Sequence, residues 1–190
     1  MKKNYKITNN APIILGIVAI SFLATLLNYI TGGASNRLLF TTYHSKLYSP
    51  LTWIRAFTHV FGHANWTHLA GNMSYLLLLG PMLEEKYSSA KLLEVVAITA
   101  FVTSLINYIF FPHVALCGAS GVVFAFILLS SFTRFKAGEI PLTFILVAVF
   151  FLGQQIWDGI TIQDNISNMA HIVGGIIGSI VGYGLNKKSK

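Results

Sequence analysis

The stretch Leu116–Phe126, LCGASGVVFAF, opens one of the longest apolar runs in the chain and holds Ser120 between Gly118 and Gly121. A helix whose only task is to face lipid needs no Gly-x-Ser-Gly opening. Three readings are open: close approach of two helices, a kink, or a nucleophile inside a membrane. Gly121 and Ala125 make a small-xxx-small pair, which favours packing. The backbone N–H groups at the start of a helix are free to donate to an anion, which favours chemistry.

The composition around this stretch restricts the class. The chain has 190 residues, 54% hydrophobic and only 10% charged, where a soluble domain carries about 25% charged residues. Its mean hydropathy is +0.66. Six apolar segments can be read, at about 11–30, 67–83, 90–111, 118–135, 140–157 and 168–185. Each is near the ~20 residues that cross a hydrocarbon core as a helix. The expectation is an all-α polytopic membrane protein, a single domain over 1–190, with the lipid bilayer as solvent. The basic run at Lys2, Lys3 and Lys6 before the first segment is read as a topogenic flank rather than part of a cleaved leader. The lone Cys117 excludes an internal disulfide framework.

The net charge of +7 does not point to nucleic acid, because the basic residues sit in short clusters between apolar runs. With the N-terminus inside, Lys2, Lys3, Lys6, Lys86, Lys91, Arg134, Lys136, Lys187, Lys188 and Lys190 are cytoplasmic. Only Arg37, Lys46 and Arg55 are outside. The positive-inside rule therefore selects both termini cytoplasmic in an inner (plasma) membrane. The first loop, about 31–66, is long and rich in Leu, Phe, Trp and Tyr. Such a loop is expected to fold against the membrane interface.

Polar residues that enter membrane segments are costly and mark function or interhelical hydrogen bonds. His68 and Asn72 lie four apart, on one face of the second segment. His171 lies in the first turn of the sixth, whose Gly174, Gly178 and Gly182 form a close-packing face. His59 and His63 are also four apart, but no glutamate follows His59, so the H-E-x-x-H zinc pattern is absent. They are read as fixing the loop by hydrogen bonds. No metal or other cofactor is expected.

The second, fourth and sixth segments all run from outside to inside, which places His68, Ser120 and His171 at one depth. If the glycine face of the sixth segment packs on the small face of the fourth, His171 reaches Ser120 as its base. His68, Asn72 and the Ser120 N–H then surround the position of an oxyanion. No Asp in these segments can orient the base. The ring of Phe124, one turn beyond Ser120, is the candidate to hold it by stacking.

At these residues the chain resembles the rhomboid family of intramembrane serine proteases, in particular its compact six-helix bacterial members. The family's His-x-x-x-Asn matches His68 to Asn72, its Gly-x-Ser-Gly matches Gly118 to Gly121, and its Ala-His-x-x-Gly-x-x-x-Gly matches Ala170 to Gly178. The resemblance implies Ser120 as nucleophile, His171 as general base, and His68, Asn72 and the Ser120 N–H as the oxyanion hole. It implies Gly121, Gly174 and Gly178 as helix-packing positions and Glu84 as a tether at the inner end of the second segment. The substrates it implies are transmembrane segments of other proteins, cleaved near their outer ends after lateral entry. Two positions depart from the pattern. The loop's usual Trp-Arg pair is Trp53-Ile54-Arg55, and the usual stacking tyrosine is Phe124, which keeps the ring and loses the hydroxyl.

Two other classes compete. A catalytically silent rhomboid-like binder of transmembrane helices would lack the serine or the histidine, and both are present. A small transporter would carry ionisable residues at mid-membrane, whereas Glu84, Glu85, Glu94, Glu139, Asp158 and Asp164 fall at or near segment ends.

Overall fold

The computed structural model describes residues 8–133, 139–154, 156–157 and 165–187. The basic residues Lys2, Lys3, Lys6, Arg134, Lys136, Lys188 and Lys190, the side chain of Lys187, and Asp158 and Asp164 lie outside that description. Among the described residues the protein is helical, with one isolated β-bridge between Thr42 and Leu116.

Helix α1 spans Pro12–Ile30, α2 Pro50–Thr58, α3 Trp66–Tyr87, α4 Ser89–Phe110 and α5 Ser120–Ser130. Helix α6, Leu142–Val147, runs on into a π-type turn at Ala148–Leu152, and α7 spans Asn165–Lys187. Among the described residues, three helical stretches are long and apolar enough to cross a membrane: Pro12–Ile30, Ser89–Phe110 and Asn168–Leu185. Helix α3 has the length but carries a polar row that includes His68, Asn72 and Glu84.

Helix α5 is the core. Gly121, Val122, Val123, Ala125, Phe126, Ile127, Leu128 and Leu129 are all buried, as expected of a helix that is apolar on every side and surrounded by other helices. It packs against α3, α4 and α7. It is shorter than the fourth segment expected over 118–135. The start moves to Ser120 because Gly118 has φ +124 and Ala119 is the N-cap. At the other end, turns follow Ser130. The sixth segment is longer than its sequence pattern, reaching back to Asn165.

The α5–α7 seam is made by glycine. A Cβ on Gly174 would collide with the Gly121 carbonyl, and one on Gly178 with the Ala125 carbonyl. Gly121 in turn lies against the Ala170 carbonyl, which an added Cβ would approach to 3.3 Å. The two backbones touch without side chains between them, which only small residues allow.

Glu84, near the C-terminal end of α3, accepts hydrogen bonds from the Ile13 N–H at 3.0 Å, the Ile14 N–H at 3.1 Å and the Ser89 hydroxyl at 2.6 Å. Its carboxylate therefore covers the free N–H groups of the first turn of α1 and the favourable end of that helix dipole. Beside it, Gly80 leaves just enough room for the Ile14 side chain.

The first loop is folded rather than extended. It contains a π-type turn at Asn36–Phe40, helix α2 and a 3-10 turn at His59–Phe61. Helix α2 opens at Ser49-Pro50, where proline suits the first helical turn. His59 ends α2 and His63 follows the 3-10 turn, so their four-residue spacing is not one helical face. The Trp53-Ile54-Arg55 departure is accommodated locally. Trp53 Nε1 donates to the Leu47 carbonyl at 2.9 Å. The buried Arg55 guanidinium stacks 4.3 Å from the Tyr43 ring centroid, and its Nη1 donates to the Tyr43 hydroxyl.

Candidate active site

Ser120, His171, His68, Asn72 and Phe124 line one open cavity of about 310 Å³, together with Thr67, Gly71, Tyr75 and Val123. Helices α3, α5 and α7 each contribute. The seam of Gly121, Gly174 and Gly178 draws α7 onto α5, and that brings His171 to the cavity that Ser120 enters.

The His171 imidazole lies flat on the Phe124 ring, with centroids 4.2 Å apart and planes 2° from parallel. Phe124 also makes an edge-to-face contact with Phe151, centroids 6.1 Å apart. Flat stacking restricts the plane of the imidazole.

Gly118 has two reasons to be glycine. Its φ of +124 lies where side chains are strained. A Cβ there would also stand 2.7 Å from Cε1 and 2.9 Å from Nε2 of His68. The His68 ring therefore lies directly against the strand of chain that presents Ser120. Asn72, one turn further along α3, is 7% exposed, and its Nδ2 has no hydrogen-bond partner among the described residues. A buried amide donor without an acceptor is expensive to maintain. This one lines the same cavity as Ser120. Ser120 is the first residue of α5, so its N–H has no acceptor within the helix.

The loop histidines act at one remove. His59 Nε2 donates to the Ala100 carbonyl at 3.0 Å, and the His59 carbonyl accepts from the Gly118 N–H at 2.9 Å. His59 thus ties the loop to α4 and holds the turn that presents Ser120. His63 Nδ1 donates to the Phe61 carbonyl at 3.1 Å, its own carbonyl accepts from Asn36 Nδ2 at 2.9 Å, and its ring edge meets His68 with centroids 5.0 Å apart. Burial lowers the pKa of both rings from 6.5 to about 4. The same chain segment is anchored by the paired backbone bonds of Thr42 and Leu116, 2.9 and 2.8 Å, and by Asn107 Nδ2 donating to the Val114 carbonyl at 3.1 Å. Sequence reading missed the Thr42–Leu116 bridge and Asn107. The buried asparagine inside an apolar helix was the available signal for the latter.

Cys117, three residues before Ser120, is the other potential nucleophile nearby. Burial pushes its thiol pKa up, which disfavours the reactive thiolate.

Residues 50–188 match the Rhomboid domain, so the chain belongs to the rhomboid family and is a membrane protein. It is similar to the rhomboid protease GlpG of Haemophilus influenzae, 31% identical over 137 residues that cover 68% of each chain. It is similar also to the rhomboid protease GluP of Bacillus subtilis, 28% identical over 85% of this chain and 32% of that protein. The chloroplastic Rhomboid-like protein 11 of Arabidopsis thaliana is 25% identical over 71% of this chain. This chain spans 53% of the Arabidopsis protein.

Proposed function

We propose that the protein is an intramembrane serine endopeptidase that cuts transmembrane segments of other membrane proteins near their outer ends. The observation that carries the reading is the stack of His171 on Phe124 in a cavity shared with Ser120, His68 and Asn72. A serine, an oriented imidazole and buried unpartnered donors are the parts that acyl transfer requires.

In this reading Ser120 Oγ attacks the scissile carbonyl carbon while His171 takes its proton. The carbonyl oxygen becomes an oxyanion that receives hydrogen bonds from Asn72 Nδ2, the His68 ring and the Ser120 N–H. Collapse of the tetrahedral species breaks the C–N bond, and His171 gives the proton to the leaving amine. A water molecule, deprotonated by His171, then hydrolyses the acyl ester and restores Ser120. Helix α5 has 11 residues, about 16 Å at 1.5 Å per residue, roughly half of a ~30 Å hydrocarbon core. A helix so short supports a serine recessed from the membrane surface, reached by water through the open cavity.

The proposal extends to the architecture. The chain forms one domain over 1–190, a bundle of six membrane-crossing segments with both termini cytoplasmic in the inner membrane and the first loop on the outer side. Substrate helices enter laterally from the bilayer. Small or helix-weak residues near the cut lower the cost of extending the backbone, by about 1 kcal/mol for Gly relative to Ala.

The test is to incubate the purified protein in detergent with a fluorophosphonate probe and a model transmembrane substrate, beside Ser120→Ala and His171→Ala. Wild type should label and cleave, and neither variant should do so. A wild type that does neither overturns the peptidase reading.

A further inference from the structure

We infer that the groove between α2 and α4 is a binding site for one acyl chain of an anionic phospholipid, whose headgroup sits at Lys46. The site lies outside the catalytic cavity and is independent of the peptidase reading.

The groove runs along one face of α4. Phe101, Ser104, Leu105 and Tyr108 line one wall, at the spacing of a helix face. Thr52, Trp53 and Ala56 of α2 line the other. Phe57 stacks on Phe101 at one end, centroids 5.6 Å apart, and His44 stacks on Tyr108 at the other, centroids 4.3 Å apart. Phe101 lies nine residues before the end of α4 at Phe110, about 14 Å along the axis. That is close to the depth of one leaflet, half of a ~30 Å hydrocarbon core.

The walls decide what fits. Five polar side chains line the groove, and each already has a partner. Thr42 and Ser104 hydrogen-bond each other at 2.7 Å. Thr52 donates to the Lys46 carbonyl at 2.8 Å, Trp53 Nε1 to the Leu47 carbonyl at 2.9 Å and the Tyr108 hydroxyl to the Ser45 carbonyl at 2.9 Å. A ligand finds apolar surface and no unclaimed hydrogen-bonding group, which disfavours a sugar or an extended peptide. The free space is narrow, about 40 Å³. It suits a single chain of methylenes and not a second helix. Leu47, Trp53 and Leu105, each at least 43% exposed, leave it open to the surrounding lipid. A chain that enters from lipid gains packing rather than hydrophobic burial, so selection among lipids falls to the headgroup.

Lys46 supplies that selection. It follows Ser45, whose carbonyl the Tyr108 hydroxyl reaches, and so stands at the Tyr108 end of the groove. Its ammonium is exposed, 5.6 Å from the Tyr48 ring centroid. Among the described residues the one ion pair joins Lys91 to Glu94, so no carboxylate there neutralises Lys46. A cation beside an interfacial tyrosine attracts anionic headgroups.

The test uses the full chain with Trp66→Phe and Trp157→Phe, so that Trp53 alone reports. It is placed in bilayers of phosphatidylcholine brominated on its acyl chains, which quench tryptophan. Unbrominated phosphatidylglycerol or phosphatidylcholine then replaces part of that lipid. Recovery of Trp53 fluorescence gives the binding constant of one lipid relative to the other. Phosphatidylglycerol should be preferred about five-fold, the effect of one cation near the surface. The preference should vanish in Lys46→Gln. It should vanish also in Ala56→Leu, which fills the groove and leaves Lys46 in place. Phe110→Trp, in a chain whose native tryptophans are all changed to Phe, reports lipid on another side of α4 and should show no preference. The site is refuted if Trp53 shows no preference, if either variant keeps it, or if Phe110→Trp shows the same preference. Leu105→Phe, which narrows the groove from its exposed lip, replaces Ala56→Leu if circular dichroism shows that variant unfolded.

Discussion

The imidazole of His171 lies on the ring of Phe124, 4.2 Å between centroids and within 2° of parallel. The contact spans two helices whose backbones touch at Gly121 and Gly174. In the proposed mechanism this stack helps to orient His171, a task that falls to a carboxylate in a three-residue catalytic triad. Phe124→Leu should keep the volume apolar but release the plane of the ring. With aromatic pairs worth about 1 kcal/mol beyond burial, kcat should fall roughly five-fold with little change in KM. Phe124→Tyr keeps the stack and should stay within about two-fold of wild type in the same assay.

Asn72 lines the cavity with a buried donor that has no acceptor among the described residues. Asn72→Ala should lower kcat by about 10²-fold, near 3 kcal/mol of barrier, leaving measurable activity from the remaining donors. The protein should melt at the wild-type temperature or above, because an unpartnered buried group is removed. Complete loss of cleavage in a folded variant contradicts the oxyanion role.

Two glycine substitutions should move stability in opposite directions. Gly174→Ala drives a methyl group into the Gly121 carbonyl and should cost about 1–3 kcal/mol through forced separation of α5 and α7. Gly71→Ala meets open space and should stabilise by about 0.4–1 kcal/mol, because alanine loses less backbone freedom on folding. Equilibrium unfolding in one detergent, at fixed detergent concentration, compares them directly.

His59 and His63 are held neutral by burial, with pKa values lowered from 6.5 to about 4. The unfolded chain binds protons at these sites near pH 6.5, before the folded protein does. Their contribution to stability is therefore complete above about pH 6.5 and is lost progressively as pH falls toward 4. The slope is up to about 1.4 kcal/mol per pH unit for each ring. Measured unfolding free energy should drop across that window, and His63→Gln should reduce the slope by about one proton. An unchanged slope in that variant would show that His63 does not carry the effect.

Much of the fold was legible along the chain because membrane segments announce themselves by length and apolarity. Four segment boundaries, those of α1, α3, α4 and α7, fall within a few residues of the sequence pattern. The fourth segment did not, since Gly118 takes a positive φ beside the His68 ring and the helix opens only at Ser120. Helix α2 was hidden inside a loop whose amphipathic pattern is short. The spacing of His59 and His63 suggested one helical face, but the 3-10 turn between them sends their rings to different carbonyls.

By itself the sequence determined the class of solvent, the order of the segments and which of them carry serine, histidine and asparagine. Those are properties of local composition and spacing, and they survive any rearrangement of the helices. Only the tertiary structure decided that Gly174 sits on Gly121, that Phe124 rather than a lipid tail meets His171, and that Gly118 makes room for His68 while Gly71 makes room for nothing in the protein. Each of these depends on which faces of separate helices meet. That choice is made by close packing between residues distant in the chain, to within a methyl group, and no periodicity along one segment encodes it.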